Sequence, residues 1–264
     1  LAIKEPRKVY KILFDAAWST MSTFGQTEGL QLGMIAILHT WGQNLSLHPH
    51  LHCIVPGGGI QSNKKWKRKI KSDKYLFSVK ALSKVFRAKY VAFLRKEKLG
   101  DIQLFDSLFQ SNWVVYAKRP FGGPKQVIEY LGRYTHKVAI SNHRLKNVTA
   151  TQVTFQYKDY RSNGQNKQMV LTNQEFIRRF SLHILPKRFV RIRHYGILSS
   201  SWKRGKLQDL QKQLKVKRKE SKPKTKHRLC YCCKEGNLIT LALFGDRGPP
   251  KTYLFKSESK SPIN

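Results

Sequence analysis

Acidic residues are scarce in this chain. Its 264 residues include 15 Asp+Glu against 51 Lys+Arg, a formal net charge of +36. An excess of that size makes a polyanion the natural partner. It favours nucleic acid over an anionic membrane surface, but does not separate an enzyme from a structural nucleic-acid binder. Cysteine is scarce too. There are four, three of them bunched at 230–233, which argues against a disulfide framework and fits a reducing cytoplasm. No apolar run approaches the roughly 18–20 residues of a membrane span, and no signal peptide is visible. Internal repeats and strict βαβ alternation are both lacking. Strands and helices mix, so the expected class is α+β with an antiparallel sheet. Hydrophobic residues make up 40% of the chain, enough for a real core in one or two domains.

The pattern predicts a helix over 6–24, with Pro6 in its first turn and Gly25 as its stop. Strands follow over 33–39 and 51–56, joined by about ten residues rich in Gly, Asn, Ser and Pro, so an antiparallel hairpin is expected. Next comes Lys64-Lys65-Trp66-Lys67-Arg68-Lys69-Ile70-Lys71, a basic stretch with one aromatic. An amphipathic helix covers 79–98, and Trp113–Tyr116 reads as a short strand. A helix over 125–136 is followed by strands near 138–141, 151–158 and 167–171, the last pair turning at Ser162-Asn163-Gly164. Thr172…Glu175 is a capping-box pattern opening a helix that Pro186 must end. From Lys203 to Arg228 there are twelve Lys/Arg and two acids, as in a basic helix followed by a loose tail.

The chemistry-bearing residues sit in two places. His50-Leu51-His52 puts two imidazoles on one face of a strand. If the first two strands pair antiparallel, His39 comes across to them as a third ligand, with Gln43 and His48 as alternatives. Imidazole suits zinc as well as other divalent ions, so ligand type leaves the metal open. Tyr130 and Tyr134 are four apart on one helix face. Val127, Tyr130, Leu131, Tyr134 and Val138 also form the stripe of an ordinary core-facing helix, the plainer reading of that spacing. Gly132, costly inside a helix, points towards a close backbone approach. Arg133 and Lys137 flank the tyrosines and could hold phosphates, as could Lys65, Lys67 and Arg68 in the basic stretch. A tyrosine nucleophile stores phosphodiester energy as a phosphotyrosine, and a metal beside it stabilises the developing charge. Histidines, paired tyrosines and basic charge together indicate an enzyme that cuts and rejoins DNA.

Four stretches carry a resemblance. They are His39–Asn44, His48–Gly59, Tyr130–Arg144 and Arg191–Gly196. In this order the chain resembles the HUH-family two-tyrosine transposases of bacterial rolling-circle insertion sequences. The resemblance implies a Rep/relaxase-like HUH fold whose central antiparallel sheet carries the histidines, plus a basic C-terminal extension. It implies one Mg²⁺ or Mn²⁺ held by His39, His50 and His52, with Tyr130 and Tyr134 as nucleophiles. It also implies cleavage of single-stranded DNA at transposon ends and target through 5′-phosphotyrosine intermediates, with Arg144 in a matched stretch as a further DNA contact. The corresponding organisation is an N-terminal helical segment over 1–30, a catalytic domain over 31–200 and a basic tail over 201–264. Such transposases usually begin with a cysteine-rich zinc-binding domain, which nothing before residue 30 resembles. Near the other end, His227, Cys230, Cys232 and Cys233 could bind zinc, though free thiols fit the lack of a second pair. The same chemistry also serves plasmid replication initiators and relaxases. A non-catalytic nucleic-acid binder is the rival from another class. A zinc hydrolase is disfavoured by the charge and by the lack of an adjacent Glu.

Overall fold

A computed structural model describes residues 1–69, 75–135, 139–216, 228–229 and 232–238. The chain divides into two units, Leu1–Val216 and Lys217–Asn264. In the second, the described residues show a two-stranded antiparallel pair, Arg228–Leu229 with Asn237–Leu238.

The first unit is α+β, and its sheets are antiparallel. Helix α1 covers Pro6–Thr27. It outruns the expected stop at Gly25 because the signal that ends it lies at Gly29. Gly29 takes a left-handed φ of 66°. The Leu30 N–H reaches back to the Gly25 carbonyl at 2.8 Å and the Gly29 N–H to Gln26 at 2.9 Å. This pair of bonds is a Schellman cap. Strands β1 (Gly33–Trp41) and β2 (Leu47–Ile54) form the expected hairpin. Both extend into the region expected as linker, so the turn is short and His48 lies within a strand. Strands β3 (Gly58–Ile60) and β4 (Trp66–Arg68) make a separate ribbon that displays the basic stretch. Helices α2 (Val79–Lys96), α3 (Ile102–Gln110) and α4 (Pro124–Thr135) come next.

The expected strand at 113–116 does not form: the segment has no regular secondary structure and pairs with no strand among the described residues. The expected strand at 138–141 is not one over its described part. Ala139 and Ile140 are buried by packing with Leu45 and Phe155 instead of by pairing. A second sheet follows, in the order β5 (Leu145–Val148), β6 (Gln152–Asp159), β7 (Gln165–Thr172). Its β6–β7 turn passes through Asn163 and Gly164, both at positive φ, as the Asn-Gly pair requires. Thr172 caps α5 (Asn173–Ser181) by accepting from the Glu175 N–H. That helix stops five residues ahead of Pro186. Strand β8 (Ile192–Gly196) then returns to the first sheet, and α6 (Ser200–Lys203) and α7 (Lys206–Gln213) close the unit.

The central sheet has the order β2-β1-β8, with β1 in the middle. Its two faces do different work because side chains alternate along a strand. Met34, Ala36 and Leu38 face the main core with Phe14 of α1 and Val91 and Leu94 of α2. Residues 37 and 39 look the other way, where α4 lies. The final residue of β8 is under tight steric control. Gly196 has φ 56°, and a Cβ there would sit 2.0 Å from the Leu32 carbonyl oxygen. Both the backbone angle and the clash forbid a side chain. Gly196→Ala should therefore destabilise the fold by at least about 2 kcal/mol, measured as a lowered urea midpoint at unchanged m-value.

Candidate active site

The hairpin brings the histidines together. In the β1–β2 register His39 lies opposite His50 and Ile37 opposite His52. All three imidazoles therefore emerge on the face turned away from the main core. His39 is only 2% exposed, while His50 and His52 are half-buried. Their ligand nitrogens lie within 4.8 Å of one another, a group that could hold a metal ion. Small side-chain rotations would close that spread to the roughly 3–3.5 Å implied by metal–nitrogen bonds of about 2.1 Å. His48, the alternative from the same strand, is exposed and stands outside the trio. The backbone carbonyl of Gln43 accepts from Arg144.

Backbone carbonyls orient two of the rings. His39 Nε2 donates to the Tyr134 carbonyl at 2.9 Å, and His50 Nδ1 donates to the His48 carbonyl at 2.8 Å. Such bonds fix tautomer and ring plane, as in metal sites generally. Burial pushes the His50 pKa down, against the opposing effect of the hydrogen bond to the His48 carbonyl. The neutral imidazole is the form that ligates a metal. Trp41 stacks on His39 with ring centroids 4.4 Å apart. His183 is used differently. Its ring bridges the Thr40 hydroxyl and the Leu45 carbonyl, pinning the hairpin turn.

The tyrosines of α4 meet this trio. Their own rings are 4.3 Å apart. Tyr134 lies 4.3 Å from the His52 ring and 5.7 Å from His39. The Tyr130 hydroxyl is 3.1 Å from His52 Nδ1. Helix α4 buries no residue completely. Its stripe of Val127, Tyr130, Leu131 and Tyr134 is half-buried throughout, and the two phenols pack on histidines instead of entering the apolar core. Burial first, and the neighbouring Tyr134 second, push the Tyr130 pKa up to about 12. Burial thus favours the protonated phenol, and a positive charge beside it would act in the opposite direction.

Arg191 is the site residue that composition and spacing did not single out. Its guanidinium donates to the Thr135 carbonyl, the last of α4. His39 holds the carbonyl one residue earlier, so β1 and the lead-in to β8 together grip the C-terminal end of the tyrosine helix. A cation there also complements the helix dipole. The only signal in the sequence was the Arg191–Gly196 stretch itself.

The basic candidates separate. Arg133 is exposed in the last turn of α4, and Lys65, Lys67 and Arg68 are exposed on the β3–β4 ribbon. Arg144 is half-buried, and its guanidinium clasps the carbonyls of Gln156 and Gln43, tying β6 to the β1–β2 turn. Lys137 lies outside the described residues. So do His227 and Cys230 of the tail cluster, while Cys232 and Cys233 are exposed free thiols.

The family described as "Putative transposase", the two-tyrosine (Y2) transposases, matches residues 33–206, which include every histidine and tyrosine of the site. The chain belongs to this family. It is 38% identical to "Putative transposase y4qJ" of Sinorhizobium fredii (strain NBRC 101917 / NGR234), over 96% of the chain and 72% of that protein. It is 26% identical to "Transposase for insertion sequence element IS801" of Pseudomonas savastanoi pv. phaseolicola, over 71% of the chain and about half, 48%, of that protein. No solved structure gives a significant match. Among the described residues, no helix is long and apolar enough to cross a membrane.

Within this transposase fold Gly132, between the tyrosines, has no described neighbour within 4 Å of a Cβ built on it. The close backbone approach expected from the sequence is not found there. Gly132→Ala should therefore gain helix propensity without a clash, stabilising the protein by about 0.5–1 kcal/mol. Thermal unfolding would show a raised Tm; a lowered Tm would reveal crowding at this turn.

Proposed function

We propose that this Y2 transposase nicks and rejoins single-stranded DNA through 5′-phosphotyrosine intermediates, in rolling-circle transposition. The observation that carries the reading is the convergence of three histidines and two phenols, with the Tyr130 hydroxyl 3.1 Å from His52. Two strands and a helix from distant parts of the chain supply these groups. The α+β frame with its antiparallel central sheet suits the HUH arrangement. In this reading the catalytic part spans 31–200, flanked by the helical segment 1–30 and the basic tail 201–264.

His39, His50 and His52 would hold one divalent ion, Mg²⁺ or Mn²⁺ in this reading. When bound, it supplies polarisation of the scissile phosphate oxygens and favours the phenolate. The chain's own residues do the rest. A tyrosine oxygen forms a bond to phosphorus, the bond from phosphorus to the 3′ oxygen breaks, and that oxygen leaves as a 3′-hydroxyl. The 5′ phosphate stays on the tyrosine. Reversal by another 3′-hydroxyl rejoins strands. His52 Nδ1, facing the Tyr130 oxygen, can donate to the phenolate when its other nitrogen ligates, and so lower the high pKa that burial imposes. The second tyrosine can hold a second 5′ end without release of the first. Arg133, Lys137 and the β3–β4 cations Lys65, Lys67 and Arg68 would carry DNA phosphates. Arg144 would reach DNA only with what its two carbonyl bonds leave over.

His50→Ala and His52→Ala should each lower metal-dependent nicking of a single-stranded oligonucleotide by about a thousandfold, several kcal/mol of lost charge stabilisation. DNA affinity should change little, and the affinity for Mn²⁺, followed by calorimetry, should fall in parallel. Undiminished nicking in the double variant would remove the metal role.

Tyr130→Phe and Tyr134→Phe keep each ring and its stacking but delete the hydroxyl. Strand transfer should be lost in both single variants. The covalent protein–DNA adduct, seen as a shifted band on a denaturing gel, should vanish only when both are changed. Normal transfer by either single variant would make that tyrosine structural.

A further inference from the structure

We propose that residues 113–121, between α3 and α4, form a stacking platform for the bases of a single DNA strand entering the tyrosine site. The proposal rests on the reading just given and adds how the substrate is presented. Residues 113–117 form no helix or strand and alternate in burial, and they pair with no strand among the described residues. Trp113, Val115 and Ala117 are half-buried. Val114 and Tyr116 stand out, 87% and 79% exposed. They leave an aliphatic and an aromatic surface, two residues apart, open to a ligand.

The segment is pinned at both ends. The Trp113 ring packs 5.3 Å from Phe86 and 5.2 Å from Tyr90. Its Nε1 donates to the Leu108 carbonyl at 2.9 Å, and its own carbonyl accepts from Ser83. At the far end, the Gly122 N–H donates to Gln126 Oε1 at 2.7 Å, and the Phe121 ring meets Tyr130 edge-on at 5.3 Å. Tyr116 and Phe121 are thus presented on an anchored stretch that ends against a proposed nucleophile.

Charge identifies the ligand. No acid occurs between Asp106 and Glu129, while Lys118, Arg119 and Lys125 are all exposed in that interval. Aromatic faces interleaved with cations fit bases and phosphates together, and stacking accepts any base. An apolar protein strand would gain nothing from these cations. Bases in a duplex are already stacked on each other, so the platform selects single strands. A base resting on Phe121 would bring its adjoining phosphodiester to Tyr130.

The test uses the full chain without divalent ion, so that nothing is cut. Fluorescence anisotropy compares labelled oligothymidine, a duplex of equal length and an abasic strand that keeps the phosphates. The wild type should bind oligothymidine about tenfold or more tighter than the abasic strand. Tyr116→Ala should weaken oligothymidine binding about tenfold and leave the abasic strand unchanged. Tyr116→Phe should bind like the wild type. Lys118→Gln with Arg119→Gln should weaken both strands alike and reduce the log–log salt slope by about 1.4, two phosphate contacts' worth. The platform is overturned if Tyr116→Ala binds oligothymidine normally, loses equally on both strands, or if the wild type does not distinguish them. Covalent adducts, assayed separately with metal, keep the two readings apart. Adducts with normal Tyr116→Ala binding would sink the platform alone, and no adduct from the wild type would sink the nicking chemistry alone.

Discussion

The antiparallel register of β1 against β2 is the constraint on which the rest of the site depends. His39 opposite His50 leaves His52 opposite Ile37, so three imidazoles share one face. A slip of one residue would turn His50 and His52 to the other face and drive Leu51 out of the main core. The apolar residues that fix the register are therefore the ones that never touch the chemistry. Met34, Ala36 and Leu38 lock β1 onto α1 and α2, and the histidine face is what remains. The hairpin turn is held from its own side by His183 and Arg144, which bind its carbonyls.

Helix α4 is attached to this sheet in a different way. It buries no residue completely. What joins it to the sheet is the pair of donors on its last carbonyls, from His39 and Arg191, together with ring-on-ring contact between phenols and imidazoles. Such a joint is directional, because a hydrogen bond specifies angle as well as distance. It also couples the proposed metal site to the proposed nucleophiles. His39 belongs to the ligand trio through its ring and to the tyrosine helix through the same ring's Nε2. The two elements are in direct contact there, with no intervening residue.

The electrostatics follow the same division. The chain carries a net charge of +36, and among the described residues cations are exposed on the β3–β4 ribbon, beside Tyr134 and along 118–125. Long-range attraction of a polyanion needs no particular geometry. The site itself is poor in carboxylates and rich in half-buried neutral groups, where burial lowers the His50 pKa and raises that of Tyr130. The two environments complement each other in the proposed reaction. One would attract the polyanion, and in the other burial disfavours the charged forms of the His50 imidazole and the Tyr130 phenol.

The sequence by itself determined the local features. A short apolar run gave β1, which is buried on both faces, and period-2 and period-3.6 patterns gave α1, α2, α4 and the β6–β7 hairpin, because each is a property of one element's own residues. The histidine pair and the tyrosine pair were legible for the same reason: spacing within an element decides which side chains share a face. Tertiary structure decided what no window of neighbours contains. It set the register that puts His39 opposite His50, and so chose His39 over Gln43 and His48, which the sequence had left as alternatives. It put Ile192–Gly196 beside β1 as the third strand, a contact spanning more than 150 residues of chain. It left 113–117 without a strand partner among the described residues, although the local pattern reads as a strand, since pairing is a property of two segments and only one was in view. It also assigned the arginines, and that assignment could not be read locally. A guanidinium reaches whichever carbonyls the fold brings near, so Arg191 and Arg144 grip backbone while Arg133, just as basic in sequence, faces solvent.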